Sequence, residues 1–319
     1  TMCHAELAVG ADDVRLAGIL RMNGKVDADA PVFGVVVLLK APGMTSSNAV
    51  YDVRRIFGEK RAGHIGTLDP GAAGVLPICI GRATRLFDYF VEKEKTYIAE
   101  IAFGTATDTQ DAAGAVLERM NCHITREMLE RVLPSFLGEI RQIAPAYSAL
   151  KVGGRKMYDL ARAGETVPER VRSATISELT LLDAMEANRF LLRVRCSRGT
   201  YIRTLCADIG RALGVPAHMS FLLRTGAGNF SVEQSCTVAE LETLRDEHRL
   251  KTAVISCEDA LSFLPALDLG AERRSPTMNG LPTTSRAPEG AVRLYAGGMF
   301  LGAGTVKAGA ARLVVHLYE

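Results

Sequence analysis

Arg189–Asp208 reads RFLLRVRCSRGTYIRTLCAD, and the hydrophobic period changes inside it. Over Arg189–Cys196 apolar residues alternate, with Phe190, Leu192, Val194 and Cys196 on one face and Leu191, Arg193 and Arg195 on the other, the pattern of a half-buried strand. Past Gly199 the spacing lengthens: Ile202, Leu205, Cys206, Ile209 and Leu213 recur at helical intervals. Tyr201 and Arg203 therefore fall at a strand-to-helix junction, an edge where side chains can face a cleft. Lys95–Gly104 repeats the strand pattern with Tyr97, Ala99, Ile101 and Phe103 on one side. Tyr97 read by itself is ordinary sheet packing.

Working outward, strands are expected at 95–104, 175–183 and 189–196, with a further buried strand at 32–39. Helices are expected at 45–57, 127–137, 203–213 and 238–246, the first capped from Thr45, Ser46 and Ser47. Strands and helices do not alternate as βα units, so the fold class is α+β with a largely antiparallel sheet. Residues 271–290, rich in Pro, Ser, Thr, Arg and Gly, read as a linker or irregular loop. Short strand patterns at 292–295, 299–305 and 312–318, separated by glycines, suggest a small C-terminal β-barrel. Residues 1–30 show no clear period and read as an N-terminal extension.

The segment of greatest chemical interest is Gly63–Pro77, GHIGTLDPGAAGVLP. Pro70 biases Asp69 away from helical geometry, while Gly63, Gly66, Gly71 and Gly74 allow tight turns and close approach to a ligand. The carboxylate sits on a shaped loop. Taken alone, that loop is as well explained by an Asx-type turn as by a functional site.

Five motifs in order, GHIGTLDP, KTY at 95–97, APAYSALKVGGRKMYDLARAG at 144–164, RGTYIRT at 198–204 and AHMSFLLR at 217–224, resemble the TruB family of tRNA pseudouridine synthases, over about Gly34–Arg224. The resemblance implies a pseudouridine-synthase-type mixed sheet with flanking helices. It implies that Asp69 is the essential aspartate, Tyr97 the tyrosine that stacks on the target base and Arg203 the partner of the aspartate. It also implies a substrate-binding set of His64, Gly66, Lys40, Tyr201 and Leu222. The VRLYAGGMFLGAGTV pattern resembles the PUA-like RNA-binding domain of the same family. The expected organisation is a catalytic domain at 31–262, with an RNA-clamping insertion near 144–173, and a PUA-like domain at 263–319. The chain departs from the family pattern around Lys40, preceded by Leu39 with proline delayed to Pro42, and at Gly71 and Ala73, where the family prefers leucine and threonine.

Isomerising uridine to pseudouridine breaks a glycosidic bond and remakes it through carbon, without net redox change or an added group. No metal or nucleotide cofactor is therefore expected. A carboxylate beside the sugar can stabilise charge at C1′, attack it, or take a proton from C2′, and the sequence does not choose among these. A glycoside hydrolase would want a second carboxylate; none lies in the loop, although Asp108, Asp111 and Asp208 could approach in space. A partly buried acid stays ionised only with help, because burial disfavours the charged form. An arginine supplies that help in a planar, bidentate geometry. Its loss would strand a buried charge, a change on the order of 3–5 kcal/mol in comparable pairs.

Flipping a base out of folded RNA costs roughly a few kcal/mol, and stacking on an aromatic ring returns about 1–3 kcal/mol. Binding RNA also calls for positive charge, yet 38 Lys and Arg against 36 Asp and Glu leave the chain at +2. A globally basic binder is excluded, so the charge must be local. Lys151–Ser173 carries Lys151, Arg155, Lys156, Arg162, Arg170 and Arg172 against Asp159, Glu165 and Glu169, a net +3. This segment reads as a mobile loop and short helix able to close on phosphates, with Lys151, Arg155, Lys156 and Arg162 as the RNA-backbone set.

Seven scattered cysteines without CxxC spacing fit a reduced cytoplasmic protein. No apolar run approaches the roughly 20 residues of a membrane helix, and no cleavable leader is expected. The expected partner is the tRNA T-arm, with no membrane and no obligatory protein partner, acting as a monomer. Two competing readings are a guide-RNA-dependent subunit of the same superfamily and a non-catalytic protein that binds or folds tRNA.

Overall fold

The computed structural model describes residues 32–145, 147, 151–186 and 188–318, and the expected N-terminal extension lies outside them. Its contacts fall into two units. The first holds the described residues up to Asp69, Val75–Val91 and the chain from Asn229 on; the second holds Pro70–Gly74 and Glu92–Gly228.

In the second unit Lys95–Phe103 is flanked by Ala217–Ala227 on one side and Arg189–Cys196 on the other, both antiparallel. Val171–Met185 pairs with Arg189–Cys196, and Gly138–Ile143 forms the edge. Parallel pairing enters where Leu223 and Arg224 lie beside Ala73 and Gly74. The alternation read from the sequence holds residue by residue: Phe190, Leu192, Val194 and Cys196 are buried while Arg189, Arg193 and Arg195 are exposed. Helix Ile202–Ala212 covers this sheet with Ile202, Leu205, Cys206 and Ile209 turned inward.

The first unit has the buried strand Gly34–Lys40, antiparallel to Val254–Ile255, and the strand Ala62–His64, antiparallel to Ile78–Ile80. Helix Ser46–Phe57 begins as its cap predicts, the Thr45 hydroxyl accepting from the Asn48 N–H at 3.0 Å, and ends at Gly58 in the left-handed region. The C-terminal residues form a five-stranded half-barrel in the order Ala266–Asp268, Gly290–Ala296, Met299–Lys307, Ala310–His316, Thr283–Thr284. Val292, Leu294, Leu301, Val306 and Leu313 fill its core. The fold class is the expected α+β arrangement, a mixed and largely antiparallel sheet with flanking helices plus this half-barrel.

Three expectations are corrected. The linker at 271–290 starts with a 3₁₀ turn, Ala271–Arg273, and a helix, Arg274–Met278, whose Met278 packs on the half-barrel core. The helix expected at 127–137 spans Arg126–Val132 and tightens into a 3₁₀ turn, Leu133–Phe136, because Pro134 has no N–H to continue the ladder. The strand expected at 175–183 extends to Val171–Met185, its first half being held by Gly138–Ile143.

Asp268 ties the half-barrel's turns together. Its carboxylate accepts from the backbone N–H groups of Gly270 and Gly297 at 2.9 Å and of Gly298 at 2.7 Å, and these donors hold it below the usual carboxylate range. A depressed carboxyl pKa contributes stability above the ordinary aspartate value and loses it as pH falls through the folded-state value. Asp268→Asn is thus expected to lower the thermal midpoint of the protein at pH 7. The gap from wild type should narrow as pH falls from the ordinary aspartate value through the lower folded-state value, below which both proteins carry a neutral side chain; circular-dichroism melts across a pH series from 7 downward measure this.

Candidate active site

The GHIGTLDP loop is fixed at both ends before its acid is reached. His64 pairs with Ile78, and the Ile65 N–H donates to the Pro77 carbonyl at 2.8 Å. Ile65 and Leu68 are buried, and between them Gly66 turns the chain with φ 79°. The buried Ser46 hydroxyl then holds Leu68 twice, accepting from its N–H and donating to its carbonyl, each at 2.9 Å. Asp69, half-buried, is the next residue. Lys40, only 1% exposed, donates from Nζ to the carbonyls of Ala41 (2.9 Å) and Met44 (2.7 Å), closing the turn that delivers Thr45 and Ser46 to the helix start.

Directly after Asp69 the chain enters the second unit. Gly74 has φ 112°, and a Cβ there would lie 2.1 Å from the Arg224 carbonyl oxygen, so only glycine lets the two backbones meet. Arg224 in turn stands opposite Tyr97, with Val194 on the tyrosine's other side. Cross-strand partners point to the same face of a sheet, so Tyr97 and Arg224 share the buried face. Leu222 is buried beside Ala99. Lys95, on the same face as Tyr97, donates to the Lys93 carbonyl. Burial, and then the Arg224 guanidinium, pull its ammonium down to about 8.

Tyr201 precedes helix Ile202–Ala212 and is gripped by the buried Gln142. The Tyr201 N–H donates to Oε1 at 3.0 Å, and Nε2 donates to the Tyr201 carbonyl at 3.1 Å. Two residues on, Arg203 is buried and donates from Nη1 to the Thr109 carbonyl and from Nη2 to the Tyr147 carbonyl, both at 2.9 Å. Asp111 Oδ2 stands 3.8 Å from Nη1, and its Oδ1 accepts from the Thr109 hydroxyl at 2.6 Å. Of the other acids considered from sequence, Asp108 accepts from the Ala115 N–H. Asp208 lines a cavity of about 640 Å³ beside Thr204, Met157 and Pro168, where burial pushes its carboxyl up against the opposing pull of Arg211. From the sequence, Ser46 is read only as a helix cap, Arg224 only as the end of the AHMSFLLR motif, and Gln142 not at all.

The TruB family pseudouridylate synthase N-terminal domain matches residues 54–202, and the tRNA pseudouridylate synthase B C-terminal domain matches 203–262. A tRNA pseudouridine synthase B of Bacillus cytotoxicus is 45% identical over 255 residues, covering 78% of this chain and 83% of the relative. One from Caldanaerobacter subterraneus subsp. tengcongensis is 42% identical over 280 residues, covering 86% and 96%. The chain belongs to the TruB family. Among solved structures, a chain of a Cbf5–Nop10–Gar1 complex matches with TM-score 0.67 and 27% identity, over 86% of this chain and 78% of that one.

In this TruB-family chain the insertion is a hairpin, Lys151–Val152 with Arg155–Lys156, turning through Gly153 and Gly154 and followed by helix Met157–Arg162. Arg155 forms a bidentate pair with Glu165, at 3.0 and 2.9 Å. The side chains of Lys151, Lys156 and Arg162 lie outside the described residues.

The contact between Gly74 and Arg224 separates two glycines of one loop. Gly74→Ala forces a side chain into a left-handed residue against backbone, and is expected to cost at least about 1–3 kcal/mol. Gly71→Ala, whose Cβ would meet nothing within 4 Å, should leave stability near wild type. Urea unfolding midpoints of the two variants measure the difference.

Proposed function

We propose that this chain isomerises uridine to pseudouridine in tRNA, at the T-loop uridine, position 55. The observation that carries the reading is the GHIGTLDP loop, held by Ser46 on one side of Asp69 and by the Gly74–Arg224 approach on the other, in a chain 45% identical to a tRNA pseudouridine synthase B. In this reading Asp69 is the essential carboxylate and Arg203 its partner, the guanidinium being buried and oriented by the carbonyls of Thr109 and Tyr147. Tyr97 stacks on the extruded uracil. His64, Gly66, Tyr201 and Leu222 shape the nucleoside pocket, while Lys40 acts through the turn it closes.

The reaction balances internally. The bond from C1′ to N1 breaks, the uracil rotates while bound, a bond from C1′ to C5 forms, the C5 proton leaves and N1 takes up a proton. The carboxylate's part lies at C1′ or C2′. The substrate is the tRNA T-arm, bound by a monomer through Lys151, Arg155, Lys156 and Arg162 of the insertion and through a PUA-like domain at 263–319, with residues 31–262 as the catalytic domain. Identity to tRNA pseudouridine synthase B, 42–45%, well exceeds the 27% to the chain from the Cbf5–Nop10–Gar1 complex. That margin favours action on tRNA without a guide RNA over a guide-dependent subunit. No helix among the described residues is long and apolar enough to cross a membrane, and a cytoplasmic location belongs to the same proposal.

Asp69→Asn is expected to reduce tritium release from C5-labelled uracil in tRNA to background while keeping tRNA affinity within a fewfold of wild type. Wild-type turnover in that variant would refute the assignment. Tyr97→Phe keeps the ring and removes the hydroxyl. Stacking predicts a loss of less than about tenfold in turnover, since a proton-transfer role would cost on the order of 10²–10⁴.

A further inference from the structure

The turn that precedes Tyr201 and Arg203, residues 197–199, also borders a cavity that neither of those residues lines. Glu92, Arg172, Ser197, Arg198 and Gly199 line this open cavity of about 350 Å³. Its two arginines reach it from different elements. Arg172 belongs to Val171–Met185 at the point where the chain leaves the insertion, and its backbone pairs with Gln142, the residue that grips Tyr201. Arg198 stands in the turn itself. Gly199, at φ 80°, leaves room above the backbone, where a Cβ would come within 3.7 Å of Arg172 Nη1.

The neighbourhood carries surplus positive charge. Lys95 is near enough for Arg198 to disfavour its charged form and for Glu92 to favour it. Arg172 and Arg198 thus share the cavity lining with the single carboxylate of Glu92, which is ion-paired with Arg198. Both members of that pair are more than half exposed, and exposed pairs are worth little on their own. A stronger anion can take Arg198 from Glu92 at small cost. Two guanidiniums over an open backbone turn match the geometry of a phosphate, whose oxygens accept paired N–H donors.

We propose that Arg172 and Arg198 grip a backbone phosphate of the substrate RNA, with Glu92 as the carboxylate that occupies Arg198 until RNA arrives. The inference rests on the tRNA reading above and extends it to a site outside the insertion's expected basic set. It places a backbone contact on the turn that precedes Tyr201 and Arg203.

The test is tRNA affinity of the full-length protein as a function of salt, together with steady-state turnover. Arg172→Ala and Arg198→Ala are each expected to weaken tRNA binding about tenfold at low salt and to lower the slope of log affinity against log salt by about one, with the loss in KM and not in kcat. Glu92→Gln should act in the opposite direction, tightening binding severalfold. Unchanged affinity and slope in both arginine variants would overturn the proposal, as would Glu92→Gln weakening binding, which would make the ion pair merely structural. Inorganic phosphate added at fixed ionic strength should leave tRNA affinity unchanged. Competition by phosphate that disappears in Arg198→Ala would instead assign a free-anion site and overturn the RNA assignment. A wild-type protein that neither binds nor modifies tRNA would defeat the functional reading and this site together, whereas a wild type that does both beside unaffected arginine variants would defeat this site alone.

Discussion

The approach of Gly74 to the Arg224 backbone is the constraint on which the site depends. Leu223 and Arg224 run parallel to Ala73 and Gly74, while Arg224 is also the cross-strand partner of Tyr97. One residue thus sets both the end of the loop that follows Asp69 and the position of the tyrosine. A parallel pair this short, between otherwise antiparallel neighbours, contributes little hydrogen-bond energy by itself. What makes it specific is the missing Cβ, since any side chain at Gly74 would push the two backbones apart and carry the loop with it.

Burying Arg224 and Lys95 on the face that bears Tyr97 works against stability. Arg224 is 1% exposed, and desolvating cations costs several kcal/mol each unless their N–H groups are satisfied. The pKa of the Lys95 ammonium is lowered to about 8, by burial first and then by the Arg224 guanidinium. A fold selected for stability alone would place aliphatic residues there, as it does at Val194, Leu192 and Ala99 on the same face. Positive charge retained at that expense is suited to an anionic ligand.

The sequence made legible those parts of the fold whose hydrophobic period is clean. Arg189–Cys196, Lys95–Phe103 and the helices Ser46–Phe57, Ile202–Ala212 and Val238–Asp246 lie where their patterns put them, within a residue or so. Ala73–Ile80 and Gly138–Ile143 were not read as strands, for opposite reasons. Ala73–Ile80 is buried throughout and carries a glycine and a proline, so it shows no alternation. Gly138–Ile143 is an exposed edge whose inward residue, Gln142, is polar. Asp69, Tyr97 and Arg203 stood out because they sit in ordered motifs. Of the residues that hold the site, Lys40 stood out with them, Ser46 only as a helix cap, and Gln142 not at all.

Those residues share one physical task. Loops that carry functional side chains leave backbone N–H and carbonyl groups without ladder partners, and buried ones must be satisfied. Here single polar side chains do it: Ser46 takes both groups of Leu68, Gln142 both groups of Tyr201, and Lys40 the carbonyls of Ala41 and Met44. Each is almost fully buried, yet each is a residue type that a hydropathy pattern assigns to the surface. The partners of Ser46 and Gln142 lie 22 and 59 positions away, so no local window could have revealed those two contacts. The precision of the site therefore comes from polar groups that cost free energy to bury and recover it only when the loop adopts one conformation, which is why they hold it there.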